Sequence, residues 1–207
     1  MGFNGLILIA TEPTDMFTYL AWKFSGIPKE RIIGLGTYID STLFRQLLSK
    51  KLSVSFTNIS AFIVGGSKRE SKITTLIRSN IGGMPILRLM VDKKNYFNQN
   101  DRINIDSFLS EKDLFSLENK SYFTTVSALV ELTQFIFDDE KTLVTLMHLV
   151  DVDDLTNIPL SLPILLGKDG INKISELFFG FRKKELFKAA KETREYLDWI
   201  EKGQRSL

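Results

Sequence analysis

The sequence predicts an α+β fold that opens on a short α/β segment. Three observations carry this. Two apolar runs without polar alternation, Gly5–Ala10 and Arg31–Gly36, bracket a stretch with helical spacing, and strand, helix, strand in close succession makes a βαβ unit with a parallel pair. Downstream, Ser60–Val64, Thr142–Leu149 and Ile158–Leu166 read as strands that pair antiparallel. Two long helical patterns, Leu117–Phe137 and Arg182–Lys202, complete the set.

Each element has a local reason. Gly5–Ala10 is continuously apolar, as in a strand buried on both faces. Thr11-Glu12-Pro13-Thr14-Asp15 breaks it, Met16, Phe17, Leu20, Ala21 and Phe24 follow at helical spacing, and Ser25-Gly26-Ile27-Pro28 stops the helix. Asp40 to Leu52 is the next helix, with Leu43, Phe44, Leu47 and Leu48 on one face. Ser60–Val64 runs as a strand into Gly65-Gly66, Lys72–Asn80 reads as helical, and Ile81-Gly82-Gly83-Met84-Pro85 as a turn. Asp92–Asp106 is polar and weakly patterned, a surface insertion or a frayed element. In Leu117–Phe137, the residues Val126, Leu129, Val130, Leu132, Thr133 and Ile136 define an expected buried stripe. Gly167-Lys168-Asp169-Gly170 is a turn, and the last helix is amphipathic, with Phe187, Ala190, Leu197 and Ile200 facing inward. Its Lys188–Glu192 and Lys191–Glu195 pairs are spaced for mixed-sign contacts on a solvated face.

Composition narrows the function. In 207 residues, 43% are hydrophobic and 25% charged, so the chain folds over most of its length. Twenty-seven Lys and Arg against twenty-five Asp and Glu leave a net charge of +2, too balanced to point to nucleic acid or an anionic membrane. No apolar run reaches membrane-spanning length, and no cation precedes the first one; a cytoplasmic location is expected. Without cysteine there are no disulfides, thiolate nucleophiles or cysteine metal sites. His148 is the one histidine, and on a predicted strand, Thr145–Val150, it reads as a structural or surface residue.

A single βαβ unit is an unfinished parallel sheet, because such strands are too apolar to stand at an exposed edge. Either a further segment or a partner protein completes it, or it joins the downstream strands in a small mixed sheet.

The motifs are specific. Gly5 to Val54, GLILIATEPTDMFTYLAWKFSGIPKERIIGLGTYIDSTLFRQLLSKKLSV, resembles the lactate/malate dehydrogenase family, whose segment carries T-N-P-[VT]-D, G-[FI]-P-x-x-R and G-T-x-L-D-[ST]-x-R-[FL]-R. The likeness continues at Ile63-Val64-Gly65, at Asn80–Pro85 and at Leu160–Gly170, in the family's order. The resemblance implies that residues 1–36 are the last βαβ of a Rossmann domain. Residues 37–207 would then be the family's C-terminal substrate domain, with antiparallel strands and long helices. It also implies NAD as cofactor and oligomeric assembly. The family's cofactor strand ends in G-x-G-x-x-G, with the pyrophosphate on a helix N-terminus. No such fingerprint occurs here, and Gly34-Leu35-Gly36 lacks the third glycine; none is expected to bind to this chain alone.

The resemblance places the chemistry residue by residue. The family's base is a histidine in G-E-H-G-D-S, suited by its pKa; Ser67, in Gly65-Gly66-Ser67-Lys68-Arg69-Glu70, falls there. The carboxylate that orients it corresponds to Asp40, which without its histidine reads first as the cap of the helix it opens and second as a catalytic relic. The arginine that clamps the substrate carboxylate is replaced by Leu43, and Arg45 matches a second family arginine. The asparagine of T-N-P, which touches cofactor and substrate, is Glu12, and a substrate-pocket hydroxyl corresponds to Ser121. Asp40 and Ser121 survive; the base, the clamp and the amide do not. The expectation is a catalytically inactive relative acting as an interaction or regulatory subunit, a homo-oligomer or one half of a complex that completes its N-terminal sheet. The competing expectation is an NAD-dependent 2-hydroxy-acid oxidoreductase, active only with an N-terminal cofactor domain.

Overall fold

The computed structural model describes residues 3–88, 121–173 and 183–204. The opening forms as the apolar runs predict. Strand β1 (Ile7–Ile9) leads to helix α1 (Thr14–Ser25), a short 3₁₀ turn follows at Lys29–Arg31, and strand β2 (Ile32–Gly34) runs parallel to β1 with Ile7 opposite Ile32 and Leu8 opposite Ile33. Helix α1 lies very close to β2. A Cβ on Gly34 would sit 2.5 Å from both Thr14 Cγ2 and Thr18 Oγ1, so only glycine admits this approach.

The parallel pair joins the antiparallel strands in one mixed sheet. Strands β8 (Thr142–Val152) and β9 (Leu155–Gly167) form a long hairpin. Strand β2 meets β8 antiparallel at Gly34–Met147. On the other side β9 carries β4 (Ile63–Gly65), and β4 pairs with β5 (Lys72–Thr74). A strand absent from the sequence reading, β10 (Gly170–Lys173), folds back on β9 after the expected turn. The order is β1-β2-β8-β9-β4-β5. The mixed-sheet alternative therefore describes one side of the parallel pair, while β1 is terminal and pairs with β2 alone among the described residues.

Helix α2 (Tyr38–Leu52) buries Phe44, Leu48 and Leu52 against Ile59, Ala61, Ile63 and Leu76. Helix α3 (Tyr122–Phe137) packs Ala128 and Leu132 against Ile39 and the sheet residues Ile33, Val144, Leu146 and Ile164. Helix α4 (Lys183–Gln204) lays Leu186, Ala189 and Ala190 on Val150, Ile158 and Leu160. The main contact of α4 thus falls on Leu186, Ala189, Ala190 and Leu197, with Phe187 and Ile200 half-buried beside them.

Three expectations are corrected. Lys72–Asn80 is not a helix: it is β5, a 3₁₀ turn at Leu76–Arg78, and β6 (Asn80–Ile81). Ile73-Thr74-Thr75 is β-branched, and pairing of Ile73 with Val64 decides its state. Ser60–Val64 is not one strand. Its first residue belongs to β3 (Ile59–Ser60), which joins β6 and β7 (Met84–Pro85) in a second sheet, so the chain crosses between sheets at Ala61-Phe62. The buried stripe of α3 is displaced: Val126 and Val130 are 56% and 63% exposed and Thr133 is exposed, because the seam follows Ala128, Leu132 and the half-buried Phe135 and Ile136. The expected insertion Asp92–Asp106 and the first turn of the pattern beginning at Leu117 lie outside the described residues.

The hairpin β4–β5 turns on Gly65, whose φ is +110° and whose added Cβ would lie 2.0 Å from the Ser71 carbonyl oxygen. Gly65→Ala is expected to cost about 2–3 kcal/mol, read as a fall of about 5–10 °C in Tm for a chain of this size.

Candidate functional site

The region to which the resemblance assigns catalysis is assembled from three elements: the N-terminus of α1, the β4–β5 hairpin and the first turn of α2. Side-chain bonds lock them together. Thr37 Oγ1 donates to the Ile63 carbonyl at 2.6 Å, and the Ile63 N–H donates to Ser41 Oγ at 2.9 Å, fixing α2 on β4. The pairing of Gly65 with Lys72 then sets where the loop carrying Ser67 and the side chain of Lys72 emerge.

Asp40 lies in the first turn of α2, is 1% exposed, and receives the Lys72 ammonium at 2.9 Å on Oδ1. It does not cap the helix; Thr37 occupies the cap position. A carboxylate this deep needs a partner of opposite charge, and lysine supplies it. Lys72 was invisible to sequence reasoning because its segment read as helix. Only the strand register brings it to Asp40.

Ser67 is held elsewhere. Its Oγ accepts the Asp15 backbone N–H at 3.2 Å. The start of α1 is thereby closed by the chain's own groups: Glu12 Oε2 accepts from Thr14 N–H at 3.1 Å, and Asp15 Oδ1 accepts from Met16 N–H at 2.8 Å. Asp15 is 3% exposed, and its carboxyl is pushed above the usual carboxylate range, chiefly by burial and further by the Glu12 charge. A helix N-terminus attracts anions through free N–H groups and its dipole. Here three successive N–H groups are taken and two carboxylates stand beside them, so this end does not fit an anionic dinucleotide.

The remaining positions are placed as follows. Leu43 is half-buried and packs against the core residues of both α2 faces. Arg45, two residues on, projects about 200° round the helix and donates to Thr42 Oγ1 at 3.1 Å, so it does not substitute at Leu43. Ser121 caps α3, its Oγ accepting from Thr124 N–H at 3.2 Å. His148 is buried on β8, with Nδ1 2.9 Å from the Leu146 carbonyl oxygen. Between α2 and α3 lies a cavity of about 240 Å³ bordered by Tyr38, Leu43, Thr124 and Glu131. In it the Tyr38 hydroxyl donates to Glu131 Oε2 at 2.7 Å. Burial first, and the adjacent carboxylate second, raise the phenol's pKa and keep it neutral. Among the described residues no three His, Asp or Glu side chains cluster as metal ligands, and no helix is long and apolar enough to cross a membrane.

With a mixed sheet flanked by α2, α3 and α4, the chain has the α+β fold of the dehydrogenase substrate domain preceded by one βαβ unit. Comparison with known proteins gives the same answer. The L-lactate dehydrogenase of Geobacillus sp. (strain WCH70) is 33% identical over 181 residues, 85% of this chain and 56% of that protein. A lactate dehydrogenase from a Medee basin deep-sea metagenome superposes with a TM-score of 0.77 at 28% identity, over 95% of this chain and 63% of the other. The malate dehydrogenase of Aeropyrum pernix shares the fold, with a TM-score of 0.74 at 24% identity over 94% and 64% of the two chains. No family model matches the sequence. The resemblance to lactate and malate dehydrogenases thus holds in sequence and in fold, and the chain spans less than two thirds of the length of these relatives.

Three variants test the electrostatics. Lys72→Met leaves Asp40 buried without its ammonium and is expected to cost about 3 kcal/mol in urea unfolding. Adding Asp40→Asn should restore most of that loss. Asp15 has a raised folded pKa, so the folded state binds its proton more readily. Stability therefore declines as pH rises from the ordinary carboxylate value through the raised one, and stays lower above it. Asp15→Asn keeps the acceptor for Met16 and is expected to raise the urea midpoint at pH 7.5, with a smaller gain at pH 4.

Proposed function

We propose that this chain is a catalytically silent relative of the lactate/malate dehydrogenases that works through contacts, as an interaction or regulatory subunit. The observation that carries this reading is the Lys72–Asp40 pair. In the family pattern that carboxylate orients a histidine base. Here the corresponding position is Ser67, which is bonded to α1, and the carboxylate is held by a lysine. A serine hydroxyl without a base of its own takes no proton near neutrality, and loss of a general base typically costs about 10²–10⁴ in rate. The clamp is Leu43, which cannot make two parallel bonds to a carboxylate. Glu12 adds a negative charge where the substrate is itself an anion. NAD is not expected to bind to this chain alone.

The contact surface suggested by the sheet is the outer edge of β1. A partner strand there, from a second copy or another protein, would extend the parallel sheet and cover its apolar side chains. A second reading draws on the same edge and on the retained Asp40: an NAD-dependent 2-hydroxy-acid oxidoreductase completed by an N-terminal cofactor domain. It requires another group to act as base, and Lys68, whose ammonium lies 4.7 Å from the Tyr196 ring centroid, is placed for a cation–π contact.

Two measurements test the proposal. NADH titrated into the purified chain should give no saturable fluorescence change, and NADH with pyruvate or oxaloacetate should show no protein-dependent oxidation. Turnover of either keto acid overturns the silent reading. Light scattering should return a multiple of the 23.6 kDa chain mass, whereas a monomer at tens of micromolar that captures no strand partner contradicts the contact role.

A further inference from the structure

We propose that the outward face of α3 is an interface between two copies of this chain, packed antiparallel about a two-fold axis at Val130. Helix α3 has two apolar sides. Ala128 and Leu132 seat one of them on the sheet. The other carries Tyr122, Phe123, Val126, Val130, Thr133 and Phe137, which fall within an arc of about 100°. Among the described residues this side is left open: Tyr122 is 94%, Phe123 81% and Phe137 82% exposed. No charged residue interrupts the stripe, since Glu131 and Asp138 point to one side of it. A contiguous apolar patch on a surface helix marks a contact site. Phe123, Val126, Val130, Thr133 and Phe137 succeed one another by steps of three and four, the spacing of a helix that packs along another helix. Val126, Val130, Thr133 and Phe137 are not among the residues that border the cavity beside α2.

The pattern of the stripe selects the occupant. It is alike in both directions: a phenylalanine, small β-branched residues, a phenylalanine. An antiparallel copy centred on Val130 places Phe123 opposite Phe137 of the second copy, Val126 beside its Thr133, and Val130 against itself. Such self-complementarity is what an isologous dimer requires, and an unrelated partner gives no reason for it. Charge fixes the direction. Helix α3 has no acidic residue in its first turn and no basic residue in its last, and Asp138, Asp139 and Glu140 follow its C-terminal end. Lys141 approaches Asp139 at 3.8 Å, which leaves this end net acidic. Beside their own helix these carboxylates stand at the negative pole of the dipole. In an antiparallel pair Asp138 faces the first turn of the second copy at Tyr122, where the pole is positive, whereas parallel packing would bring the two acidic ends together. The area is adequate. A buried aromatic side chain removes about 150–250 Å² from solvent, so Tyr122, Phe123, Phe137 and the valines approach the roughly 800 Å² per partner of a standard interface.

The inference holds whether or not the chain turns over a substrate, and it concerns a face other than the β1 edge. Analytical ultracentrifugation of the full chain at tens of micromolar should return about twice the 23.6 kDa chain mass. Val130→Glu sets two carboxylates against each other on the axis and should weaken dimerisation about tenfold or more. Its urea midpoint should be unchanged, because the position is 63% exposed. Val130→Lys should act in the same way, and an equimolar mixture of the two variants should restore the dimer, since opposite charges then meet. The chain has no cysteine, so Val130→Cys introduces a single thiol. Mild oxidation should cross-link it into a covalent dimer, whereas Ser127→Cys, off the stripe, should stay monomeric on a denaturing gel. A monomeric wild-type chain, a dimer unaffected by Val130→Glu, or a mixture of the charged variants that stays monomeric overturns the proposal. A dimer that survives Val130→Glu rejects this face while leaving the β1 edge as a contact. Should a charged variant fail to fold, Val130→Cys decides: absence of the cross-link then rejects the axis.

Discussion

The sheet hangs on the pairing of β8 with β9. This hairpin is the longest ladder among the described residues, and both neighbouring units attach to it: the parallel β1–β2 pair through Gly34 and Met147, the β4–β5 hairpin through Gly65 and Ser161. The attachments are tight. Gly36 approaches Ser161 and Met147 so closely that an added Cβ would lie 2.1 Å from the Ser161 hydroxyl, and the Thr37 N–H donates to that same hydroxyl at 3.1 Å. The start of α2, and with it Asp40 and Leu43, is therefore positioned by the hairpin and not by its own sequence.

Satisfaction of buried polar groups shapes the rest of the region. A deep carboxylate cannot stand alone in a low-dielectric interior. Where the family pattern places a histidine beside it, this chain has a serine, and Lys72 on the adjacent strand supplies the charge. The same rule closes the N-terminus of α1, where Glu12, Ser67 and Asp15 take three successive backbone N–H groups. Both arrangements tie these polar groups into internal bonds. A cavity with apolar and polar walls lies between α2 and α3, around Tyr38 and Glu131.

The motif order and the two apolar strands were legible in the sequence because they depend on local pattern: continuous apolar runs for β1 and β2, helical spacing for α1 and α2. The replaced residues Ser67, Leu43 and Glu12 were legible too, since they stand inside recognisable motifs. Lys72 and Glu131 were not. Neither lies in a motif, and each meets its partner across more than thirty residues of chain, Asp40 in one case and Tyr38 in the other. The misread face of α3 has a similar origin. Its apolar residues run most of the way round the helix, so periodicity alone does not select the side that packs.

What the sequence by itself determined was the family likeness, the α+β class, the opening βαβ unit and that Ser67, Leu43 and Glu12 stand where the family pattern has other residues. Those features are written in residue identity and in spacing along one element. The tertiary structure decided which strands share a sheet, that β5 replaces an apparent helix, where Asp40 finds its counter-charge and which helices enclose a cavity. Each of these is set by pairing register and by close contact between distant segments, and a one-dimensional pattern does not encode which side chains meet.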